Sequence, residues 1–261
     1  MREPLLDSLP LWAVFAVAFF GIILSEEFGY RIGLARRTRA PNEKEGPVGA
    51  MVGSVLALLG FLLAFVFGIA ASRFDERRRL LIDEANAIGT TFLRAGLLPE
   101  PHRASVRQIL AEYIDVRTPG AARGSIDEAI RRSEELQERL WTEAAAVAER
   151  TPQPVPSGLF IQSANELIDL HAKRVNAGLW SRLPMMVWLI IWSVAILAFG
   201  AMGYMTGLSG TVRTPAIWIV ALTFALVMWV VVDLERPHEG LLRVNPRPLL
   251  ELKKLIQPSE G

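Results

Sequence analysis

Two short groups of polar side chains have the residue types and the spacing to bind ions or to join two helices. One group follows a long apolar segment that ends at Ser72, and the other precedes an apolar segment that begins at Leu183. At a rise of about 1.5 Å per residue, Glu84 lies roughly 18 Å from Ser72. Asp169 lies roughly 21 Å from Leu183 by the same measure, if each polar stretch and the neighbouring apolar segment form one continuous helix. We therefore expect a polar belt at one level, made of Asp83, Glu84, Asn86, Asn165, Glu166, Asp169 and Arg174.

The residue types of this polar belt are compatible with three kinds of chemistry. The side chains could ring an aqueous vestibule, or they could be solvated charges and hydrogen bonds between helices. The carboxylates of Asp83, Glu84 and Asp169 are also ligands that a divalent cation accepts. Because only two helices supply these carboxylates, we predict no metal site. The first two interpretations stay open from the residues alone.

The sequence carries none of the common enzyme motifs. It has no glycine-rich phosphate loop, no G-x-S-x-G and no H-E-x-x-H. The absence of cysteine excludes thiolate nucleophiles and cysteine metal sites. The single Glu-x-x-His, from Glu235 to His238, contains Pro237, and we expect His171 to be a hydrogen-bonded interior histidine. We predict that the protein is not an enzyme and needs no cofactor.

Four segments without a charged residue must position the polar groups. They cover residues 8–25, 46–72, 183–212 and 214–232, close to the roughly 20 residues needed to cross a bilayer. The first segment has signal-peptide features, but we expect it to be a membrane helix. The sequence therefore predicts an all-α membrane protein with four transmembrane helices, at about 8–28, 47–72, 183–207 and 214–233. The predicted domains are a first helix pair (8–72), a helical cytosolic domain (73–182), a second helix pair (183–233) and a tail (234–261).

The distribution of basic residues predicts the orientation. Four crossings place both termini and residues 73–182 on one side of the membrane. More arginines and lysines flank the membrane on that side than in the connection of residues 30–46. The positive-inside rule then gives cytoplasmic termini. The net charge of +1 gives no indication of nucleic-acid binding.

Helical periodicity extends through the polar stretch. Leu81, Ala85, Ile88 and Phe92 continue the second membrane helix until Gly96. Further helices are predicted at about 102–116, from a capping box at Ser125, and at about 157–180. The proline-rich residues 151–156 are predicted to be a non-helical linker. In the tail, the spacing of Leu249, Leu252 and Ile256 predicts an amphipathic helix that needs a covering surface, which a neighbouring subunit could supply.

The second membrane helix carries two unusual stripes. Small residues at three- and four-residue steps predict a face that packs closely on another helix. Beside them, Phe61, Phe65 and Ile69 could face lipid or, in a ring of subunits, form a hydrophobic constriction. No ionisable residue lies within the four segments, which favours a passive pathway or a plain anchor over a pump. The small-residue face consists of Gly53, Ala57, Gly60, Ala64, Gly68 and Ala71.

Three stretches resemble the bestrophin-like domain family of bacterial membrane proteins. They are LLAFVFGIAASRFDERRRLLIDEANAIGTTFLRAGLLPEP (62–101), NELIDLHAKRV (165–175) and DLERPHEGLLRVNPRPLLEL (233–252). The resemblance covers residues 46 to about 252 and extends remotely to the bestrophins, which are pentameric ion channels. It implies a neck at Phe61, Phe65 and Ile69, cytosolic termini, and a tail that wraps neighbouring subunits.

The resemblance has one clear departure. Animal bestrophins carry an acidic calcium-binding cluster after the fourth helix, whereas Asp233 and Glu235 are sparse here and mixed with arginine. Calcium gating is therefore not expected. The sequence predicts a homo-oligomeric, pentameric ion channel of the bacterial inner membrane, with lipid and inorganic ions as its other partners. The alternative is a non-conducting, membrane-anchored helical scaffold.

Overall fold

The computed structural model describes residues 9–39, 45–118, 125–150, 154–210, 215–236 and 240–257. These residues are helical, with short connections, and contain no strand. The helices are α1 (Leu11–Arg39), α2 (Glu45–Ala95), α3 (His102–Arg117), α4 (Ile126–Arg150), α5 (Pro154–Val175), α6 (Met185–Ser209), α7 (Ala216–Glu235) and α8 (Arg247–Ile256).

The chain divides into two compact units, and the first is the membrane unit. It consists of residues 1–74 and 182–243. Among the described residues, four helices are long and apolar enough to cross a bilayer, namely α1, α2, α6 and α7. The spanning part of α2 is its charge-free portion, which ends at Ser72. The predicted all-α membrane fold, with a helical region between the second and third membrane helices, is confirmed.

Glycines allow α1 and α6 to cross with their backbones in near contact. A methyl group on Gly29 would collide with the carbonyl oxygen of Gly200, and one on Gly203 with the carbonyl oxygen of Glu26. At the same crossing, Ser25 Oγ donates a hydrogen bond to the carbonyl oxygen of Ile196 at 2.6 Å. Such close approach is the usual basis of helix association in lipid.

The crossing also buries a carboxylic acid inside the membrane unit. Glu26 is 5% exposed and lies near the middle of α1, because this helix continues to Arg39 instead of ending near residue 28. The charge-free segment of the sequence ends one residue earlier, at Ser25. The four charge-free segments contain no ionisable residue, as stated from the sequence, but α1 extends beyond its segment and brings Glu26 into the folded bundle.

The second unit comprises residues 75–181 and 244–261, and it is helical. Its core is formed by the inward face of α2 together with α3, α4, α5 and α8. The predicted stripe of α2 is confirmed, since Leu81, Ala85 and Ile88 are all buried. The fully buried side chains of this core include Ile88, Leu110, Tyr113, Leu136, Leu140, Phe160 and Leu167.

Two boundaries around α5 differ from the predictions. Pro154 and Pro156 lie in the first turn of α5 and not in a linker, because the first amides of a helix need no intrahelical acceptor. At its other end α5 passes into a π-helical turn (Asn176–Trp180), and residues 181–184 are not helical. Pro184 restricts the residue before it to extended conformations, so α5 is not continuous with α6.

The surface that covers α8 belongs to its own chain. Leu249 is fully buried in the core of the second unit, and Leu252 lies against Gly89 of α2. Lys253 pairs with Asp115 at 2.8 Å. For this helix, α3 and α2 of the same chain supply the covering apolar surface, and the contact of the tail with a neighbouring subunit stays a prediction.

The α1–α6 crossing can be tested by adding volume to one glycine. We expect Gly29→Val to destabilise the protein by at least about 2 kcal/mol, because the added methyl groups force two backbones apart. Gly21→Val is the matched control on the same helix, since a Cβ there meets no atom within 4 Å. Thermal unfolding of the purified proteins in detergent would measure both. Equal midpoints for the two variants would contradict the crossing.

Candidate functional site

The outward face of the membrane half of α2 is open in the single chain. Phe61 is 67% exposed and Phe65 is 61% exposed. Ile69 is only half-buried and packs partly against the core of its own unit. Of the three predicted neck residues, the two phenylalanines therefore project away from the chain, and Ile69 lies at the margin of that face.

From Gly53 to Gly68, the small-residue face of α2 meets no other helix in the described part of the membrane unit, whereas Ala71 packs partly against the core of that unit. A Cβ added at Gly53, Gly60 or Gly68 would meet no atom within 4 Å, and Ala57 and Ala64 are exposed. Packing within the unit uses a different face of α2, which carries Val52, Leu59, Leu63, Val66 and Ala70. Close packing of the small-residue face therefore stays a prediction, and only a second molecule could provide it.

A shallow groove follows the outward face toward the end of the apolar segment. It has a volume of about 500 Å³ and is open along its length. Its lining changes from Phe65 and Ile69 to Ser72 and Arg73. The face thus passes from apolar to polar within two helical turns, at the position where the membrane-spanning part of α2 ends.

Glu84 occupies the centre of a buried polar cluster in the second unit. Its carboxylate is fully buried and accepts hydrogen bonds from Arg117 Nε at 2.8 Å and from Tyr113 Oη at 3.0 Å. Arg174 also pairs with it. Gln137 Nε2 donates to Tyr113 Oη at 3.3 Å, so α2, α3, α4 and α5 all contribute to the cluster.

Opposing effects set the ionisation of this cluster. Burial by itself raises the pKa of Glu84, but the guanidinium groups of Arg117 and Arg174 outweigh burial, and the pKa lies below its usual value. Burial and the neighbouring Glu84 carboxylate raise the pKa of Tyr113. Tyr113 therefore keeps its proton and donates a hydrogen bond to Glu84.

His171 is an interior histidine joined to the same cluster. It is 3% exposed, and its Nδ1 lies 3.3 Å from Tyr113 Oη. Because the tyrosine hydrogen is directed to Glu84, a hydrogen bond here requires the tautomer in which Nδ1 carries the imidazole proton, and Nδ1–H then donates to the phenol oxygen. Burial and the nearby Arg117 lower the pKa of His171 to about 4, so the ring is neutral at physiological pH. The predicted role as a hydrogen-bonded interior histidine agrees with this geometry.

The structure separates the predicted belt into two sets. Glu84 and Arg174 form an ion pair inside the second unit, whereas the other five residues are exposed. Within the exposed set, Asn165 Nδ2 lies 3.5 Å from Asp169 Oδ2. A vestibule role for Glu84 is therefore corrected, because its carboxylate is buried between two guanidinium groups. The exposed members are Asp83, Asn86, Asn165, Glu166 and Asp169.

Three members of the buried cluster, Tyr113, Arg117 and Gln137, were not predicted from the sequence. A signal for two of them was present on α3. Ile109, Tyr113 and Arg117 follow one another at four-residue steps, so the arginine extends an apolar stripe. A charged residue at the end of a buried stripe indicates a buried counter-ion. On α2, Glu84 lies next to Ala85 of the buried stripe, which likewise indicates a buried charge, here of the opposite sign.

The acidic residues near the end of α7 already have protein partners. Asp233 accepts the backbone amides of Leu241 and Leu242, both at 2.9 Å. Glu235 accepts the backbone amide of Leu183 at 3.0 Å and pairs with Arg73 at 3.3 Å. These carboxylates hold helix ends together within the membrane unit, which gives them a structural role.

An arginine near the end of α7 also connects two distant segments of the membrane unit. Arg236 Nη2 donates to the carbonyl oxygen of Leu9 at 2.5 Å, so a protein cation holds the start of the first membrane helix. Gly240 has a φ of +128°, and a side chain there would collide with the Asp233 carboxylate. His238, the other end of the Glu-x-x-His sequence, lies outside the described residues.

The fold and the polar groups define an all-α membrane protein with a helical second unit. A model of the bestrophin-like domain matches residues 14–249. The chain belongs to the bestrophin-like family.

Solved structures agree with this fold. The chain is similar to a bacterial bestrophin homologue from Klebsiella pneumoniae, at 16% identity and a TM-score of 0.63, over 91% of this chain and 96% of the other. Two single-substitution variants of that homologue match at 16% identity and a TM-score of 0.64, one over 90% of this chain and 98% of the other, and one over 93% and 95%. The sequence matches no curated protein.

The buried cluster can be tested with two adjacent residues. We expect Glu84→Gln to destabilise the protein by about 3 kcal/mol, because it leaves Arg117 and Arg174 without their buried counter-charge. Asp83→Asn removes the same charge one residue away on the exposed side of α2, and we expect a change within about 0.5 kcal/mol. Unfolding of the full-length proteins in detergent would measure both. A Glu84→Gln protein as stable as Asp83→Asn would show that the cluster does not stabilise the fold.

Proposed function

We propose that the protein is a homo-oligomeric ion channel, a pentamer in the bacterial inner membrane with both termini in the cytoplasm. The observation that carries the proposal is the uncovered outward face of α2, where Phe61 and Phe65 project beside a row of glycines and alanines. Membership of the bestrophin-like family supports it, because bestrophins are ion channels built from four-helix subunits.

The residue types of this face favour a protein neighbour over lipid. The outward faces of the other membrane helices carry large apolar side chains, such as Phe20 on α1, Leu197 on α6 and Trp218 on α7. The uncovered face of α2 instead has Gly60 and Gly68 between its large residues. Glycines let a second helix approach closely, which gives van der Waals contact that lipid chains do not match.

In the proposed channel, copies of α2 surround an axis. The small residues lie between neighbouring copies, and Phe61, Phe65 and the margin residue Ile69 form an apolar neck. An apolar constriction can stop ions by excluding their water. The proposed vestibule is ringed by the exposed polar residues, namely Asp83, Asn86, Asn165, Glu166 and Asp169.

Ion flux through the purified protein in liposomes tests the proposal. Gradients of potassium, sodium and chloride are imposed separately, with empty liposomes as the control. We expect a flux selective for one sign of ion, because polar rings outside an apolar neck select by charge. Folded, oligomeric protein that passes no ion under any gradient would contradict the channel and favour a membrane-anchored scaffold, and the next measurement would be a search for its partner.

The neck has its own test in a pair of exposed phenylalanines. We expect Phe65→Ala to raise the flux severalfold, because removing the ring widens an apolar constriction that ions cross with difficulty. Phe20→Ala is the matched control, since Phe20 is 58% exposed on α1 and Phe65 is 61% exposed on α2. The ratio of the two fluxes at equal protein density gives the result. Equal effects of both substitutions would remove Phe65 from the neck.

A further inference from the structure

One face of α2 stays exposed on both sides of the membrane boundary. Because α2 is a single α-helix of 51 residues, its register carries the direction of Phe65 onward from the apolar segment. At 100° per residue, the positions that fall within about 60° of Phe65 form one stripe. The described exposed residues of this stripe are Pro47, Ala50, Met51, Ser54, Leu58, Phe61, Phe65, Gly68, Ser72, Glu76, Arg79, Asp83, Asn86 and Thr90, whereas Ile69 is half-buried and Ala87 is buried.

The charged residues of the stripe do not stabilise the fold through hydrogen bonds or ion pairs. Glu76, Arg79 and Asp83 form no hydrogen bond or ion pair with the described part of the chain. The charge that stabilises the second unit lies on a different face of the same helix, at Glu84. The stripe therefore carries unpaired charges on the same side of α2 as Phe65 of the proposed neck.

We propose that Glu76 and Arg79 set the ion selectivity of the channel, with Glu76 favouring cations and Arg79 limiting that preference. The inference rests on the proposed function. Glu76 is the first charge of the stripe beyond Phe65, roughly 16 Å along the helix, and Arg79 follows one turn later. Neither residue belongs to the predicted polar belt, which begins at Asp83.

Distance decides which charge acts most strongly on an ion that leaves the neck. Screening at physiological ionic strength reduces the effect of an exposed charge over about 8 Å. Glu76 lies roughly 6 Å beyond Ser72, whereas Arg79 lies roughly 10 Å beyond it. The carboxylates, repeated in each subunit, therefore dominate the potential at the neck, and Arg79 offsets part of it. Asp83 adds negative charge one turn further and keeps the vestibule favourable to cations.

The experiment measures reversal potentials of the purified full-length channel in bilayers under a potassium chloride gradient. We expect Glu76→Gln to lower the potassium-to-chloride permeability ratio about threefold to tenfold, and Arg79→Gln to raise it by a similar factor. Arg78→Gln is the matched control, because Arg78 is an exposed arginine of the same helix outside the stripe. We expect its ratio to stay within about twofold of the wild type.

A second measurement does not depend on how well each variant folds. The chain has no cysteine, so Glu76→Cys provides a single reactive thiol. Its modification in the bilayer by a cationic methanethiosulfonate should lower the permeability ratio at once, whereas the anionic reagent should raise it. The same reagents on Arg78→Cys should leave the ratio unchanged.

The outcomes separate this inference from the channel proposal. Opposite shifts in Glu76→Gln and Arg79→Gln, with none in Arg78→Gln, support the assignment. A conducting wild type whose ratio is the same in all three variants overturns it and leaves the channel intact. Equal shifts from Arg78→Gln and Arg79→Gln also overturn it, because they show a diffuse surface charge. A folded oligomer without conductance ends both proposals.

Discussion

The uninterrupted register of α2 constrains both units of this protein. Because α2 is a single helix of 51 residues, the direction of each side chain is fixed by its position in the sequence. The residue types along α2 must therefore suit lipid, the protein core or water according to that direction. In the membrane unit, Leu59 and Leu63 of α2 are buried; in the second unit, Leu81 and Ile88 are. The outward direction is left to Phe61 and Phe65 and, further on, to charged residues.

In the second unit, α2 places the side chain of Glu84 in the protein interior, where burying a charge costs free energy. Burying Glu84 removes it from water, and two arginines with a tyrosine replace the lost hydrogen bonds. A well-packed apolar core could be as stable, so stability alone does not explain the cluster. Its geometry does specify one arrangement of four helices, because Arg117 and Arg174 must reach the same carboxylate from α3 and α5. We infer that the cluster fixes how these helices pack.

Local patterns in the sequence predicted the helices well, whereas contacts between distant segments were harder to predict. The continuity of α2 and its buried stripe followed from periodicity, and Ser125 caps α4 through a hydrogen bond to the amide of Glu128 at 3.3 Å. The α1–α6 crossing was not predicted, because Gly29 and Gly203 are far apart in the sequence and each supplies only one side of the contact. Pro154 was misplaced because a proline favours a loop and a first helical turn almost equally. Direct inspection of one segment cannot decide between such alternatives.

The positions of the charges separate structural roles from functional ones. Near the end of α7, Asp233 accepts backbone amides and Glu235 pairs with Arg73, so both carboxylates have partners within the membrane unit. Glu84 is paired with two arginines in the second unit. Glu76, Arg79 and Asp83, the exposed charges of the α2 stripe, form no such contact with the described part of the chain. A protein that pairs its buried charges and leaves one exposed row unpaired keeps that row available for ions in solution. This division of charges agrees with the proposed passive ion pathway, in which ions in solution meet the exposed row and not the paired carboxylates.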